Sequence, residues 1–183
     1  MRDISLHLLD IAENSLRAGA SLVRIDMTID KAKDTLIIVI EDNGSGMSKE
    51  MLERVRSPFS TTRTTRKVGL GIPLFAAGCE NTGGRLEIES ELGAGTKLTA
   101  VYSFSHIDRP PLGDIAETLS SLALLNPLVD FVFTAKMDET FEFDTRQIKT
   151  TLDGVPITQP EVMTFVREYL QEGTKQVFGG NDI

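Results

Sequence analysis

Apolar and polar residues follow two different periods along this chain, and the change of period separates helices from strands. Apolar residues spaced three and four apart recur from Ile4 to Leu16, after Asp3 or Ser5 as a cap and before Gly19 as a stop. Runs that alternate with a period of two predict strands. The predicted elements of the first half are a helix over 4–16, strands over 22–29 and 35–41, a short helix over 48–55, a helix after Gly71, and a hairpin of strands over 85–91 and 96–104.

A second set of elements follows Pro110 and Pro111, which mark a boundary in the pattern. The predicted elements there are a helical stripe over 112–123, a hairpin around 138–139, a helix capped by Thr158 and Glu161 and stopped by Gly173, and a loose tail over 178–183. We therefore divide the chain into an amino-terminal domain over 1–106 and a small α+β carboxy-terminal unit over 107–183.

Composition and charge narrow the class of protein. The 183 residues are 40% hydrophobic and 25% charged, as in ordinary globular proteins, and no apolar run approaches the roughly 20 residues of a membrane span. The first residues lead directly into the helical pattern without a signal peptide, so a cytoplasmic protein is expected. A net charge of −8 disfavours nucleic acid and anionic membranes, and the single Cys79 excludes a disulfide within the chain. A protein or a small molecule is the expected partner.

One segment departs from this acidic character. No acidic residue lies between Glu53 and Glu80, although that interval contains the basic residues Arg54, Arg56, Arg63, Arg66 and Lys67. The segment over 57–68 has no apolar periodicity and is predicted to be a loop. It is either an anion site or a solvated basic loop that balances acidic residues elsewhere.

Asp10 and Asn14 lie four residues apart on the first predicted helix, so both side chains project from one face. Mg²⁺ takes few protein oxygens and completes its shell with water and phosphate, which makes Asn14 a candidate metal ligand. Asp10 is a candidate general base. The alternative interpretation is that both residues are ordinary solvent-exposed positions of the helix and bind no ligand. Glu13 is a weaker candidate, and the lone His7 on the Asp10 face is expected to be structural.

Asp42 ends an apolar strand and is followed by Gly44 and Gly46. A carboxylate in this position can accept a hydrogen bond from an adenine amino group. The alternative is an Asn-Gly hairpin turn, but that turn predicts a strand after it, whereas residues 48–52 have a helical pattern.

Gly69 and Gly71 precede a predicted helix start and leave backbone amides open to phosphate oxygens. This pair alone is a weak motif, and it matches neither the dinucleotide fingerprint nor the Walker loop. Arg63, Arg66 and Lys67 just before it form a candidate lid over the phosphates.

Taken together, these motifs resemble those of the GHKL ATPase superfamily, which includes gyrase, heat-shock chaperones, histidine kinases and MutL. Residues 9–20 resemble the N box in its MutL form, residues 42–46 the G1 box, residues 58–63 the histidine-kinase F box, and residues 69–72 the G2 box, with 83–84 and 93–96 as a kinase-type ending. The resemblance covers residues 4–104 and implies the Bergerat fold, a two-layer α/β sandwich whose mixed sheet has helices on one face.

The resemblance also implies the ligands, which are ATP and Mg²⁺, and the residues that hold them. Asp10 falls where the MutL form places its catalytic Glu, and Asn14 where the family places its magnesium ligand. The implied nucleotide-binding residues are Asn14, Asp42, Gly44, Gly46, Met47, Phe59, Thr62, Arg63, Arg66, Lys67, Gly69, Leu70, Gly71, Ile72 and Thr96.

Three functions remain open at this stage. The first is a stand-alone kinase-like ATPase that passes the γ-phosphate to a protein partner or to water. The second is an ATP/ADP-sensing regulatory subunit without catalysis, and the third is a MutL-like repair factor, which the net charge opposes. Because the chain begins almost at the N box, we expect it to lack the dimerisation helices and phosphoacceptor His of a sensor kinase. A homodimer is possible, and residues 107–183 match no family that we can name.

Overall fold

A six-stranded mixed sheet carries helices on one face in this protein. The computed structural model describes residues 3–56 and 71–179. The helices are α1 (Ile4–Arg17), α2 (Lys49–Arg56), α3 (Gly71–Glu80), α4 (Ile115–Leu125), α5 (Thr145–Thr151) and α6 (Pro160–Phe178). The strands are β1 (Leu22–Asp30), β2 (Thr35–Asp42), β3 (Arg85–Glu91), β4 (Gly95–Ser103), β5 (Asp130–Lys136) and β6 (Thr140–Asp144).

The strands lie in the order β3-β4-β2-β1-β5-β6. All neighbouring pairs are antiparallel except β1 and β5, which are parallel. Because side chains alternate between the faces of a strand, the register aligns apolar residues into rows. One row of buried residues crosses all six strands and consists of Ile88, Leu98, Ile40, Ile25, Phe133 and Phe143.

Helices cover this apolar face of the sheet. α3 packs on β3 and β4, α1 lies between α3 and α4, and α6 packs on α4 and β6. The opposite face carries the alternate residues of each strand, such as the exposed Arg24 and Asp26 of β1. The predicted two-layer α/β sandwich is therefore confirmed. No helix in the described ranges is long and apolar enough to cross a membrane.

The carboxy-terminal segment extends the same sheet. β5 pairs with β1 over seven residues, from Leu22 opposite Asp130 to Thr28 opposite Lys136. The start of α1 is also tied to the segment, because the Ile4 and Ser5 N–H groups donate to Pro111 and Leu112 carbonyls, both at 2.9 Å. The division of the chain at residue 106 stays a prediction.

The predicted elements of residues 4–56 and 71–104 are found close to their expected bounds, and the predicted loop over 57–68 lies outside the described residues. The end of the last helix was predicted wrongly. α6 continues through Gly173 to Phe178, which is buried, and Gly179 caps it with φ +79°. Gly173 is a packing position, since a Cβ there would lie 2.2 Å from the ring of Phe141.

Two further details of this region differ from the expectation. The capping box at Thr158 and Glu161 is not formed, because Gln159 is the N-cap residue of α6 and makes no side-chain capping bond. The short helix α5 had no predicted counterpart. It begins where the Asp144 side chain accepts a hydrogen bond from the Arg146 N–H at 2.8 Å.

Candidate functional site

Asp42 is held in one orientation at the end of β2. The Ser15 hydroxyl donates a hydrogen bond of 2.6 Å to Oδ2, and the Gly44 N–H donates one of 2.8 Å to Oδ1. Ser15 is on α1 and is only 2% exposed, so the donor of this bond is buried, whereas the acceptor Asp42 is half-buried. Each carboxylate oxygen has more than one acceptor position, and Asp42 therefore keeps acceptor capacity for a ligand.

The loop after Asp42 is bound to α1 and β1 on one side. The side-chain oxygen of Asn43 accepts the N–H groups of Ser21 and Leu22, both at 2.9 Å. The Ser45 N–H donates to the Ala18 carbonyl at 2.9 Å, at the end of α1. These bonds fix the loop against the helix that carries Asp10 and Asn14.

The β3–β4 hairpin holds the other side of the same loop. The Gly93 N–H donates to the Ser45 carbonyl at 2.7 Å, and the Met47 N–H donates to the Ser90 hydroxyl at 2.9 Å. The Ser90 hydroxyl also lies 2.9 Å from the hydroxyl of Thr96. Thr96 pairs with Asp42 in the sheet register, so the structure brings together Asp42, Gly44, Gly46, Met47 and Thr96.

Glycines permit this close packing of loop and hairpin. A Cβ at Gly46 would lie 1.9 Å from the Glu91 carbonyl oxygen, and one at Gly95 would lie 2.0 Å from the Asp42 carbonyl oxygen. Gly95 also has φ +110°, a conformation that other residues rarely adopt. Residues with side chains at these positions would push the loop away from the hairpin.

Asp10 and Asn14 are half-buried on α1, one turn apart, as predicted. Neither side chain has a hydrogen-bond or ion-pair partner among residues 3–56 and 71–179. Asp10 lies against the first residue of α3, because a Cβ at Gly71 would be 1.5 Å from its Oδ2. Glu13 is exposed and forms an ion pair of 3.1 Å with Arg17.

The Asn14 side-chain oxygen fits a magnesium ion whose other ligands are phosphate and water oxygens. Within the described ranges, no group of three or more His, Cys, Asp or Glu side chains could enclose a metal. Mg²⁺ commonly uses one or two protein oxygens together with water and phosphate oxygens, so a single amide oxygen without another partner is sufficient.

The predicted lid and part of the phosphate cradle lie outside the described residues. These residues are Phe59, Thr62, Arg63, Arg66, Lys67, Gly69 and Leu70. Gly71 and the partly buried Ile72 are the first two residues of α3, and Gly71 lies beside Asp10. The roles assigned to all of these residues stay predictions.

His7 and Cys79 lie in the core beside the site. His7 is 3% exposed and stacks on the ring of Phe75 with centroids 4.7 Å apart. Burial lowers the pKa of His7 to about 4, so its ring is neutral at neutral pH. Burial raises the pKa of the Cys79 thiol to about 11, which leaves it protonated and unreactive.

Several residues that shape the site were not among the predicted ones. Ser15, Asn43, Ser90 and Gly95 position Asp42 and its loop without belonging to the implied ligand set. The sequence contains one indication of this, since Ser15 continues the apolar stripe of α1 and a polar residue on a buried face needs a partner. The partner itself becomes visible only in the fold.

Comparison with known proteins identifies the class to which this fold and site belong. The model of the family described as "Histidine kinase-, DNA gyrase B-, and HSP90-like ATPase" matches residues 2–106, more than half of the chain. The chain belongs to this family, and it is an ATP-binding domain of the GHKL type.

Its relatives include bacterial sensor proteins. It is 28% identical over 109 residues to a putative sensor protein of Shewanella frigidimarina, covering 59% of this chain and 16% of that protein. It is 32% identical over 98 residues to sporulation kinase D of Bacillus subtilis, covering 54% and 19%, respectively. For histidine protein kinase DivJ of Caulobacter vibrioides the identity is 33% over 96 residues, covering 50% and 16%. The chain thus spans less than a fifth of these proteins.

Solved structures show the same fold. The ATPase domain of Aquifex aeolicus MutL, complexed with ADP, is similar with a TM-score of 0.53 and 20% identity, covering 78% of this chain and 64% of that one. The 78% of this chain that superimposes on MutL is more than the residues 2–106 that the family model matches. The similarity of fold therefore continues beyond residue 106.

Proposed function

We propose that this protein binds Mg-ATP in a Bergerat site and acts as a kinase-like ATPase, passing the γ-phosphate to a protein partner or to water. The observation that carries the proposal is an oriented Asp42 carboxylate beside the helix that carries Asp10 and Asn14, whose side chains have no hydrogen-bond partner within residues 3–56 and 71–179. In this proposal the fixed Asp42 acceptor binds the base, and the two polar side chains one turn apart on α1 contact the phosphates and their magnesium ion.

Each residue has a distinct role in this proposal. Asp42 accepts a hydrogen bond from the adenine amino group, because both of its oxygens are oriented by Ser15 and Gly44. Asn14 holds the magnesium ion, which would neutralise phosphate charge when bound. Asp10 orients and deprotonates the group that attacks the γ-phosphate, either a water or a protein side chain.

A second candidate function, a non-catalytic ATP/ADP sensor, is favoured by a connection between the site and the carboxy-terminal segment. Asn43, next to Asp42, binds Ser21, and the Ser21 carbonyl accepts the Asp130 N–H at 2.9 Å. The Asp130 carboxylate in turn accepts a bond of 2.7 Å from Lys149 of α5. If nucleotide binding moves the loop after Asp42, these hydrogen bonds would transmit the displacement through Asp130 to α5.

The fate of γ-labelled ATP with magnesium separates the two functions. The wild type is compared with Asp10→Asn, which keeps the size of the side chain and removes its charge, and both free phosphate and protein-bound label are counted. An ATPase or autokinase releases or transfers label in the wild type, and Asp10→Asn abolishes this without weakening binding. Tight binding without any loss of γ-phosphate would contradict hydrolysis and autophosphorylation, and would favour the sensor or a kinase that needs its protein partner.

A titration of the protein with ATP, with magnesium and with a chelator, tests the role of Asn14. If Asn14 holds magnesium, removing the metal weakens binding in the wild type and has little further effect on Asn14→Ala. Equal ATP affinity of the wild type with and without magnesium would contradict this role.

A further inference from the structure

Two aromatic rings on the solvent-facing side of α6 and a third on β6 form a row on elements that do not contribute to the nucleotide site. Phe165 is 57% exposed and Tyr169 is 40% exposed, and their rings stack with an interplanar angle of 10° and centroids 6.0 Å apart. Tyr169 also packs against Phe141 of β6, with centroids 5.1 Å apart and an angle of 60°. We call these three residues the aromatic ledge.

The ledge is held in place before any partner binds. The Phe141 ring lies against the backbone of α6 at Gly173, where a Cβ would come within 2.2 Å of it. The Tyr169 hydroxyl is 3.3 Å from the Glu142 carbonyl of the edge strand β6, to which it donates a hydrogen bond. An exposed ring that is held in this way, as Tyr169 is, loses little conformational entropy on binding, which favours its use in an interface.

A column of acids runs beside the ledge. Glu161, Glu168 and Glu172 recur at seven- and four-residue spacing, so they share the side of α6 that adjoins Phe165. All three are exposed, and within the described ranges none has an ion-pair partner. Lys175 follows them without pairing to them, whereas Arg167 lies on the other side of α6 and pairs with a glutamate of α4.

We propose that the aromatic ledge and the acidic column bind an arginine-bearing segment of a protein partner. A guanidinium stacks flat on aromatic faces and pairs with carboxylates at the same time, and the surface offers both groups side by side. The charge complementarity excludes phosphate-rich partners such as nucleic acid and anionic lipid. This surface is separate from the nucleotide site and does not depend on the function proposed for it.

The tyrosines of the chain provide a direct readout of this surface. The sequence has no tryptophan and two tyrosines, of which Tyr102 is fully buried and Tyr169 lies on the ledge. The probes are synthetic amphipathic helical peptides that carry arginine, lysine or glutamate at the same positions and contain no aromatic residue. The arginine peptide is expected to change tyrosine emission with a saturable curve, and Tyr169→Phe should abolish that change.

Matched variants separate a specific site from general attraction to an acidic protein. Phe165→Ala should weaken the arginine peptide about five-fold, as expected for loss of one cation–π contact, while Leu128→Ala at another exposed apolar position should not. Glu168→Gln should weaken it, whereas Glu80→Gln, which removes an equal charge at the end of α3, should not. Because Tyr169 remains in all four variants, the readout is the same for each.

Three results would overturn the proposal. Equal weakening by Glu80→Gln and Glu168→Gln would show non-specific attraction, and equal affinity for the lysine and arginine peptides would show that ring stacking contributes nothing. Tyrosine emission that changes with protein concentration in the absence of peptide, together with a dimer in sedimentation, would show that a second copy covers the ledge instead.

Discussion

Ser15 shows how a residue outside the proposed ligand set orients a residue that belongs to it. Its hydroxyl lies 2.6 Å from Asp42 Oδ2, in a partly buried contact between α1 and β2. A carboxylate that makes no bond to the protein would rotate about its side-chain torsions and lose this freedom when a base binds. If Asp42 binds the base as proposed, the hydrogen bond from Ser15 reduces this entropy loss before binding, and Ser15 is a positioning residue for Asp42.

Ser15→Ala is expected to weaken adenine-nucleotide binding about ten-fold, because a hydrogen bond to a charged group contributes roughly 1.5–3 kcal/mol and part of it is replaced by water. Asp42→Asn, which removes the acceptor charge, should abolish binding while the protein stays folded. Calorimetric titration with ATP measures both. Ser120→Ala is the matched control, since Ser120 is equally buried on α4 and its hydroxyl donates to the Glu117 carbonyl of its own helix. Unchanged affinity in Asp42→Asn would contradict the assignment of the site.

His7 makes stability depend on pH below neutrality. Its pKa is lowered by burial to about 4, below the ordinary value of 6.5, so the unfolded chain binds a proton first as the pH falls. The free energy of unfolding therefore includes the full contribution of neutral His7 above pH 6.5. It decreases by up to about 3 kcal/mol as the pH falls towards 4.

His7→Leu should therefore remove this part of the pH dependence of unfolding by urea between pH 7 and pH 4, whatever its effect on stability at neutral pH. The other histidine, His106, supplies the control, and His106→Gln should leave the slope unchanged. Identical slopes in the wild type and His7→Leu would show that His7 does not contribute.

At the scale of the element, α6 illustrates how a tertiary contact changes the meaning of a glycine. Gly173 was expected to end the helix, and local propensity supports that expectation. In the fold, the Phe141 ring occupies the space of its missing side chain, and the helix continues for five more residues to Phe178. The contact joins α6 to β6.

Gly173→Ala is expected to destabilise the protein by about 1–2 kcal/mol. The clash of the new methyl group with Phe141 destabilises the fold by more than the higher helix propensity of alanine stabilises it. Gly78→Ala is the control at another helical glycine, where a Cβ would meet its nearest atom at 3.4 Å, and it should be neutral or stabilising. Thermal unfolding measures both. Phe141→Leu in the Gly173→Ala background should recover part of the loss, and a stabilising Gly173→Ala would refute the packing role.

Elements with a clear period were predictable, and elements that depend on contacts were not. The amphipathic stripe of α1 and the alternation in β1 and β4 are local properties, so their bounds agree with the pattern within one or two residues. The short helix α5 has too few residues to show a period, and it begins from a hydrogen bond to Asp144. In the site, the spacing of Asp10 and Asn14 was predictable from helical geometry, whereas the bond from Ser15 to Asp42 needs the packing of α1 on β2.

At the scale of the whole molecule, the parallel pairing of β1 with β5 is the feature that no local pattern could predict. It places a central strand of the family domain between β2 and a strand that follows the Pro110–Pro111 boundary. A chain that is divided at residue 106 would leave β1 as an edge, with unpaired backbone groups and an uncovered side of α1.

A fragment over residues 1–106 is therefore expected to be unfolded or aggregated where the full chain is folded. It would lose the seven residue pairs of β1 with β5 and the two backbone bonds from the start of α1 to Pro111 and Leu112. Circular dichroism and urea titration of the fragment and the full chain measure the difference. Mixing the fragment with residues 107–183 should restore the cooperative transition, because the two pieces complete one sheet. A fragment 1–106 with the unfolding midpoint of the full chain would show instead that the family domain is independent and that the carboxy-terminal segment is an appendage.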